Sequence, residues 1–384
     1  MNSMRYRKLG KTGLMVSEIG FGGEWLERHE VSESVETVQY AHTLGVNIID
    51  CWMPDPKSRD IIGQAIAPDR AGWIVQGHIG STYQNGQYVR SRELKHVVPA
   101  FEDLLRRMNT DYMDLGMIHY IDSPKEWDVC MNDEYIRYVH ELHEQGVIRH
   151  IGLSTHNPRI AKMAAESGFI EMILFSVNPA FDMHPATEDL DSMLFGEYEE
   201  GLSGIDPERA QLYRLCEEKE IGITVMKGFF GGRLFDAKTS PFGTAFTPKQ
   251  CIHYALTRPG VSSILCGCET KQQVDEAVSY EKASEKETDY ASVIASAPLH
   301  SYMGQCTYCG HCKPCPSEID IAMVNKFYDL AAAQEQVPES ILSHYRALGN
   351  TASACIACRS CESRCPFGVK IADRMDQAAK LFGC

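Results

Sequence analysis

The sequence predicts an α/β protein, a (β/α)8 barrel over residues 1–295 followed by a small, mainly helical, cysteine-rich domain over 296–384. Three observations carry this. Short apolar β-rich runs alternate with amphipathic helical stretches through the first three quarters of the chain. Seven or eight such units in about 290 residues is the size of a closed eight-stranded barrel. Eight of the 15 cysteines then crowd between Cys306 and Cys365.

The strand candidates, in chain order, are VNIID (46–50), WIVQGHI (73–79), MDLGMIHYI (113–121), HIGLST (150–155), MILFSVN (172–178), GITVMKG (222–228) and SSILCG (262–267). Each is a short, largely apolar run of the kind that is buried on both faces of a parallel sheet. Helix starts are marked by Asp206-Pro207, Thr247-Pro248, and Thr270 three residues before Gln273. Asp or Thr at the N-cap accepts an orphan amide proton, Pro at N1 has none to leave unpaired, and Thr270 with Gln273 predicts a capping box. An open doubly wound sheet is the competing architecture, and no G-x-G-x-x-G follows the first strand to support it.

With 384 residues, 44% hydrophobic and 23% charged, the chain has the composition of a soluble globular protein of two or three domains. No run approaches the ~18 apolar residues of a membrane span. The opening MNSMRYRKLGKTG lacks the apolar core of a signal peptide, so a cytoplasmic protein is expected. A net charge of −15 repels phosphate backbones and anionic lipids, which excludes nucleic acid and membrane surfaces as partners. In such a chain cysteines point to metal or catalysis rather than to disulfides.

Their spacing says more. The runs are Cys306, Cys309, Cys312, Cys315-Pro316 and Cys355, Cys358, Cys361, Cys365-Pro366, with 39 residues between them. Two-residue gaps let successive thiolates point inward around one compact cubane, and the proline turns the chain away. The pattern resembles the bacterial two-cluster ferredoxin, in which the fourth cysteine of each run serves the other cluster. On that resemblance Cys306, Cys309, Cys312 and Cys365 hold one [4Fe-4S] cluster, and Cys355, Cys358, Cys361 and Cys315 hold the second. The last gap of the first run has two residues where the ferredoxin pattern has three. Two structural zinc sites are the alternative, and a repeated three-plus-distant-one pattern fits zinc poorly. Between the runs, IDIAMVNKFYDLAAA and PESILSHYRALG carry apolar residues at helical spacing and predict two packing helices. The other seven cysteines, Cys51, Cys130, Cys216, Cys251, Cys266, Cys268 and Cys384, are expected to be buried small apolar groups.

In a (β/α)8 barrel the chemistry sits at the C-terminal ends of the strands. The polar residues expected there are Asp50, with Asp55 just beyond, His78, His119, Ser154 with His156, Asn178 and Lys227.

YRKLGKTGLMVSEIGFGG, NIIDCWMPDPKSRDIIGQAI, DYMDLGMIHYID, IGLSTHNP, VMKGFFGGRL and RPGVSSILCGCETKQQVDEAV follow one another in an order that resembles an aldo/keto reductase carrying a C-terminal ferredoxin-like domain. The resemblance covers nearly the whole chain. It implies a nicotinamide dinucleotide extended across the barrel mouth, and hydride transfer to a carbonyl with a tyrosine acid assisted by aspartate, lysine and histidine. Asp50 matches the aspartate and His119 the histidine, while Asp55 stands at the tyrosine position and His78 at the lysine position. An aspartate near its ordinary pKa of ~4 is ionised at neutral pH and donates nothing, so His78 or His119 is the expected proton donor.

For the cofactor, the resemblance implies Ser154, with Thr155, and Leu174 at the ring amide, Met226 in place of the stacking aromatic, and Asn178 and Lys227 at adjoining strand ends. Gly228, Gly231 and Gly232 are expected near the pyrophosphate, with Gln273 and Glu276 on the adenosine side. Glu269, where a basic residue would hold a 2′-phosphate, favours NADH over NADPH.

Three functions follow. The first is an iron–sulfur oxidoreductase reducing a small organic substrate, a carbonyl or activated double bond, with electrons from NAD(P)H, the clusters or both. Clusters pass single electrons and a nicotinamide passes a hydride, so coupling them needs a flavin or a radical-tolerant substrate; no flavin motif stands out, and a flavin stays open. A ferredoxin or flavoprotein is the expected redox partner, in an anaerobic or microaerobic host. The second is a metal-dependent lyase or hydrolase in which Asp50, Asp55, His78 and His119 share one divalent ion. The third is an electron-transfer or redox-responsive protein with a catalytically lapsed barrel. The segment 181–206 is expected to arch over the mouth, with His184, Met193, Phe195 and Tyr198 as candidate contacts, and Trp25, Trp52 and Trp127 as further lining residues.

Overall fold

The computed structural model describes residues 4–384 except 197, 200, 333 and 335. Its strands are β1 (Tyr6–Lys8), β2 (Met15–Ser17), β3 (Ile19–Gly22), β4 (Ile48–Cys51), β5 (Ile74–Ile79), β6 (Ser81–Gln84), β7 (Gln87–Arg90), β8 (Met113–Ile118), β9 (Ile148–Thr155), β10 (Met172–Ser176), β11 (Gly222–Met226) and β12 (Val261–Cys266). Eight of them close a parallel barrel in the order β10-β11-β12-β3-β4-β5-β8-β9. All seven expected strands are in it. The eighth, β3, is a four-residue run, IGFG, whose two glycines hide it from an apolar-run reading.

The antiparallel hairpin β1–β2 closes the N-terminal end of the barrel. Its Leu9 and Val16 join Ile48, Leu115, Met117, Met172 and Leu174 in an inner core, with Met226 and Leu265 packed against it. The barrel is therefore filled below, and polar side chains are left to the opposite end of the strands.

The predicted caps form. Asp206 accepts the amides of Glu208 and Arg209, and Thr247 makes a full capping box with Gln250. Thr270 accepts the Gln273 amide, but the Gln273 side chain accepts the amide of Glu269 rather than that of Thr270, so the box expected there is only half made.

In the tail, Ile321–Ala332 and Glu339–Arg346 are the two expected helices, and Ile371–Phe382 is a third that the spacing between the cysteine runs did not reach. The tail packs on the barrel. Arg258 and Tyr290 donate to the Thr307 carbonyl at 2.6 and 2.7 Å, and Lys326 pairs with Glu217 at 2.9 Å. At the same junction Asp182, fully buried, accepts from Tyr213 and Tyr254 at 2.5 and 2.7 Å, with Arg209 at 3.6 Å. Six of the seven cysteines outside the runs are buried as expected; Cys384, the last residue, is half-buried instead. Among the described residues no helix is long and apolar enough to cross a membrane.

Candidate active site

Three barrel strands deliver the central side chains. Asp50 lies in β4 in register with Gln76 of β5, His78 is two residues further along β5, and His119 follows the end of β8. Asp50, His78 and His119 are all buried. They form a chain: His78 Nε2 to Asp50 Oδ1 at 3.0 Å, and His78 Nδ1 to His119 Nδ1 at 2.8 Å. Gln76 Nε2 donates to the same Asp50 oxygen at 2.9 Å and holds it in place. The Trp52 ring lies parallel to His119 at 6.1 Å, and Tyr120 meets it edge-on.

The chain has a fourth member that sequence reasoning missed. Between β5 and β8 the strands β6 and β7 form a hairpin whose turn is Asn85-Gly86, both at positive φ (52° and 79°), as a tight two-residue turn requires. The hairpin sets Tyr88 beside His119, with its hydroxyl 2.8 Å from Nε2. Arg90 donates to the Tyr120 carbonyl at 2.9 Å, and Arg92 to the carbonyls of both His119 and Tyr120. Both arginines pair with Glu126, which anchors the hairpin at the barrel mouth. An Asn-Gly pair between STYQ and QYVR is a strong hairpin signal, and it was the available clue.

Burial, followed by the charges of His78, Arg92 and Arg90, pushes the His119 pKa well below its ordinary value, so its imidazole is neutral at pH 7. Of the two expected donors, His78 and His119, the second is thus a neutral imidazole at rest. Burial likewise raises Tyr88, and it takes Tyr120 to about 12, with Asp122 adding to it. Both phenols are protonated near neutrality.

Asp55 does not join this group. It is the N-cap of the helix Pro56–Ile66, where its Oδ1 accepts the Ser58 amide at 3.1 Å. The expected single-ion centre at Asp50, Asp55, His78 and His119 is corrected with it, because the imidazoles face each other and spend their lone pairs within the chain. Among the described residues, in the tail as in the barrel, no group of three or more His, Cys, Asp or Glu is arranged to hold a metal ion. His156 turns to Asp122 at 2.9 Å and stands outside the chain.

The expected cofactor residues divide. Asn178 is spent on structure: its side chain caps the helix Pro179–Met183 and donates to the Lys227 carbonyl at 2.8 Å. Leu174 belongs to the inner core, with Met226 packed against it. Ser154 Oγ accepts the Tyr120 amide at 2.8 Å. Lys227 Nζ is 4.0 Å from Glu24. Gly228 is a packing glycine, since a Cβ there would meet Ile264 at 2.5 Å. Gly231 and Gly232 have φ of 62° and 83° and open space where a Cβ would lie. Gln273 and Glu276 are exposed, and Glu269 pairs with His29 at 2.9 Å.

From the segment 181–206, the Tyr198 ring contacts His184, Phe230 and His300, tying the segment to the loop after β11 and to the start of the tail. Met193 is buried and is not a free contact, and the side chain of Phe195 lies outside the described residues. Of the three tryptophans Trp52 reaches the chain, whereas Trp25 lies under the Arg28 guanidinium and Trp127 is buried in the helix Pro124–Met131.

The tail holds two small clefts lined by cysteines. The first is lined by Cys315, Cys355, Cys358 and Cys361, and the second by Cys306, Cys309, Cys312 and Cys365. Each set draws three thiols from one run and the fourth from the other. Arg364 ties the runs together by donating to the carbonyls of Cys312 and Pro314 at 2.8 and 2.6 Å.

Comparison with known proteins bears on the barrel. The uncharacterized oxidoreductase YqkF of Bacillus subtilis is 29% identical over 186 residues, 47% of this chain and 58% of that protein. The aldo-keto reductase YhdN of the same organism is 29% identical over 160 residues, 39% of this chain and 47% of its own length. The chain thus matches about half the length of these relatives. The holo form of an aldo-keto reductase from Bacillus halodurans shares the fold, with a TM-score of 0.59 at 20% identity over 77% of this chain and 98% of that one. The model of the aldo/keto reductase family matches residues 18–250, more than half of the 384. With a closed parallel barrel and polar groups gathered at its mouth, this chain belongs to the aldo/keto reductase family of oxidoreductases.

Proposed function

We propose that the protein is an iron–sulfur oxidoreductase that reduces a small organic molecule, a carbonyl or an activated double bond, at the barrel mouth. The observation that carries the reading beyond the family is the crossed lining of the two tail cavities, four thiols to each. Three closely spaced cysteines joined by a distant Cys-Pro, repeated twice, suit a multi-atom cluster better than a structural zinc ion. Cys306, Cys309, Cys312 and Cys365 would hold one [4Fe-4S] cluster, and Cys355, Cys358, Cys361 and Cys315 the other. Bound clusters supply single electrons, and bound NAD(P)H supplies a hydride. The open left-handed turn at Gly231 and Gly232 supports a dinucleotide phosphate nearby, and the carboxylate of Glu269 favours NADH. A ferredoxin or flavoprotein is the proposed partner, and the cytoplasm the proposed location. A lapsed barrel is the weaker reading, because the buried Asp50, His78 and His119 are retained with partners, and buried polar groups are costly to keep without use.

The test is anaerobic. Iron and sulfide are measured on the reconstituted protein. An aliphatic aldehyde, an aromatic aldehyde and an α,β-unsaturated ketone are then offered with NADH, NADPH or reduced methyl viologen. Two clusters per chain and turnover of one acceptor are the expected results. Absence of iron sinks the cluster assignment, and inertness toward every pair sinks the reductase.

A further inference from the structure

We infer that Tyr88 is the residue that hands the proton to the substrate, and that His119, His78 and Asp50 behind it form a one-proton relay that reloads it. The inference rests on the reductase reading above and deepens it.

The argument is one of access. Asp50, His78 and His119 are at most 4% exposed, whereas Tyr88 is 38% exposed. Both ring nitrogens of His78 are engaged, by Asp50 and by His119, and both of His119, by His78 and by Tyr88. Neither imidazole can touch a substrate without losing a bond inside the fold. Tyr88 is the one member of the chain with substantial exposed surface.

The partners also dictate where protons sit. A carboxylate only accepts, so His78 carries a proton on Nε2 for Asp50. In the resting form His78 Nδ1 accepts from His119 Nδ1–H, and His119 Nε2 accepts from the Tyr88 hydroxyl. One added proton reverses the outer bonds. His78, now an imidazolium beside Asp50, donates from Nδ1 to His119 Nδ1, and His119 donates from Nε2 to the Tyr88 oxygen. The Tyr88 O–H is thereby freed to point at a substrate.

In a carbonyl reduction the carbon receives a hydride from NAD(P)H, the co-reactant of the proposed reaction. The C=O π bond breaks, and the oxygen receives the Tyr88 proton through a new O–H bond. Tyr88 takes the Nε2 proton of His119, His119 takes the Nδ1 proton of His78, and His78 returns to its neutral form. One proton has left His78 and one has reached the substrate. Arg90 and Arg92 favour the transient phenolate, and a neutral His119 passes the proton on without storing it. The groups that face Tyr88 and His119 are His78, His156, Tyr120, Arg90, Arg92 and Glu126.

Tyr88→Phe is expected to lower kcat by about 10²–10⁴-fold with KM unchanged. Tyr83→Phe, directly across the hairpin from Tyr88, leaves turnover as it was. A structural tyrosine is distinguished by placing 3-fluorotyrosine at position 88. The alkaline limb of the rate profile then moves to lower pH together with the ¹⁹F titration, and His119→Gln shifts that ¹⁹F midpoint. Wild-type turnover in Tyr88→Phe, or a rate profile indifferent to the fluorine, overturns the assignment and leaves the reductase standing. If the wild-type protein reduces none of the acceptors, the reductase reading falls, and the ¹⁹F response to His119→Gln alone decides the relay: no response overturns it.

Discussion

The barrel mouth and the tail satisfy their polar atoms in opposite ways. At the mouth, Asp50, His78, His119 and Tyr88 bond to one another at 2.8–3.0 Å, and backbone carbonyls are clasped by Arg90 and Arg92. That network closes within the fold, with Arg92 Nε and Gln76 Oε1 left without a hydrogen-bond partner among the described residues. In the tail, two sets of four thiols surround cavities, framed by helices of 12, 8 and 12 residues. Helices so short draw their stability from what they pack against. The comparison teaches that the mouth meets its polar needs with its own side chains, whereas the tail gathers eight thiols whose proposed use is to hold clusters.

The largest expected effect tests the tail. Cys312→Ser combined with Cys361→Ser removes one thiol from each cavity, and should abolish iron binding and leave residues beyond 300 open to limited proteolysis, with the barrel still unfolding cooperatively. A protease-resistant, iron-free tail would break the contrast.

Next is the junction. Asp182→Ala leaves Arg209 buried without its carboxylate and unties Tyr213 from Tyr254, at a cost of about 3–5 kcal/mol in denaturant unfolding. Loss of the barrel transition, rather than of the tail alone, locates Asp182 in the barrel's own framework.

A smaller effect appears with pH. Burial, then the charge of Arg258, lowers His253 from 6.5 to about 4, and burial lowers His119 in the same direction. The unfolded chain therefore binds protons first as the pH falls, so these histidines give their full stability above about 6.5 and lose it progressively toward about 4. The urea midpoint of the barrel should be lower at the acid end of this window, and an unchanged midpoint would contradict the burial argument. The smallest effect is Asp55→Ala, which removes a helix cap worth about 1 kcal/mol and should leave the position-88 ¹⁹F signal unmoved. A shifted signal would bring Asp55 back into the site.

The sequence by itself determined what depends on near neighbours along the chain. Apolar runs marked the barrel strands apart from β3, Asp206 and Thr247 marked helix starts, and residue order placed Asp50, His78 and His119 at the strand ends. The cysteine spacing sorted eight thiols into two sets. Tertiary structure alone decided how the strand-end groups are used. Asp55 and Asn178 read as chemistry and serve as caps, because a carboxylate or amide before a proline at N1 finds the helix amides first. Tyr88 read as nothing and completes the chain. The bonds of that chain join residues 28, 41 and 31 positions apart, so they exist only once the barrel closes and the hairpin folds over its mouth. Spacing and propensity act over a few residues, whereas a buried hydrogen bond also depends on direction and exclusion of water, which packing supplies.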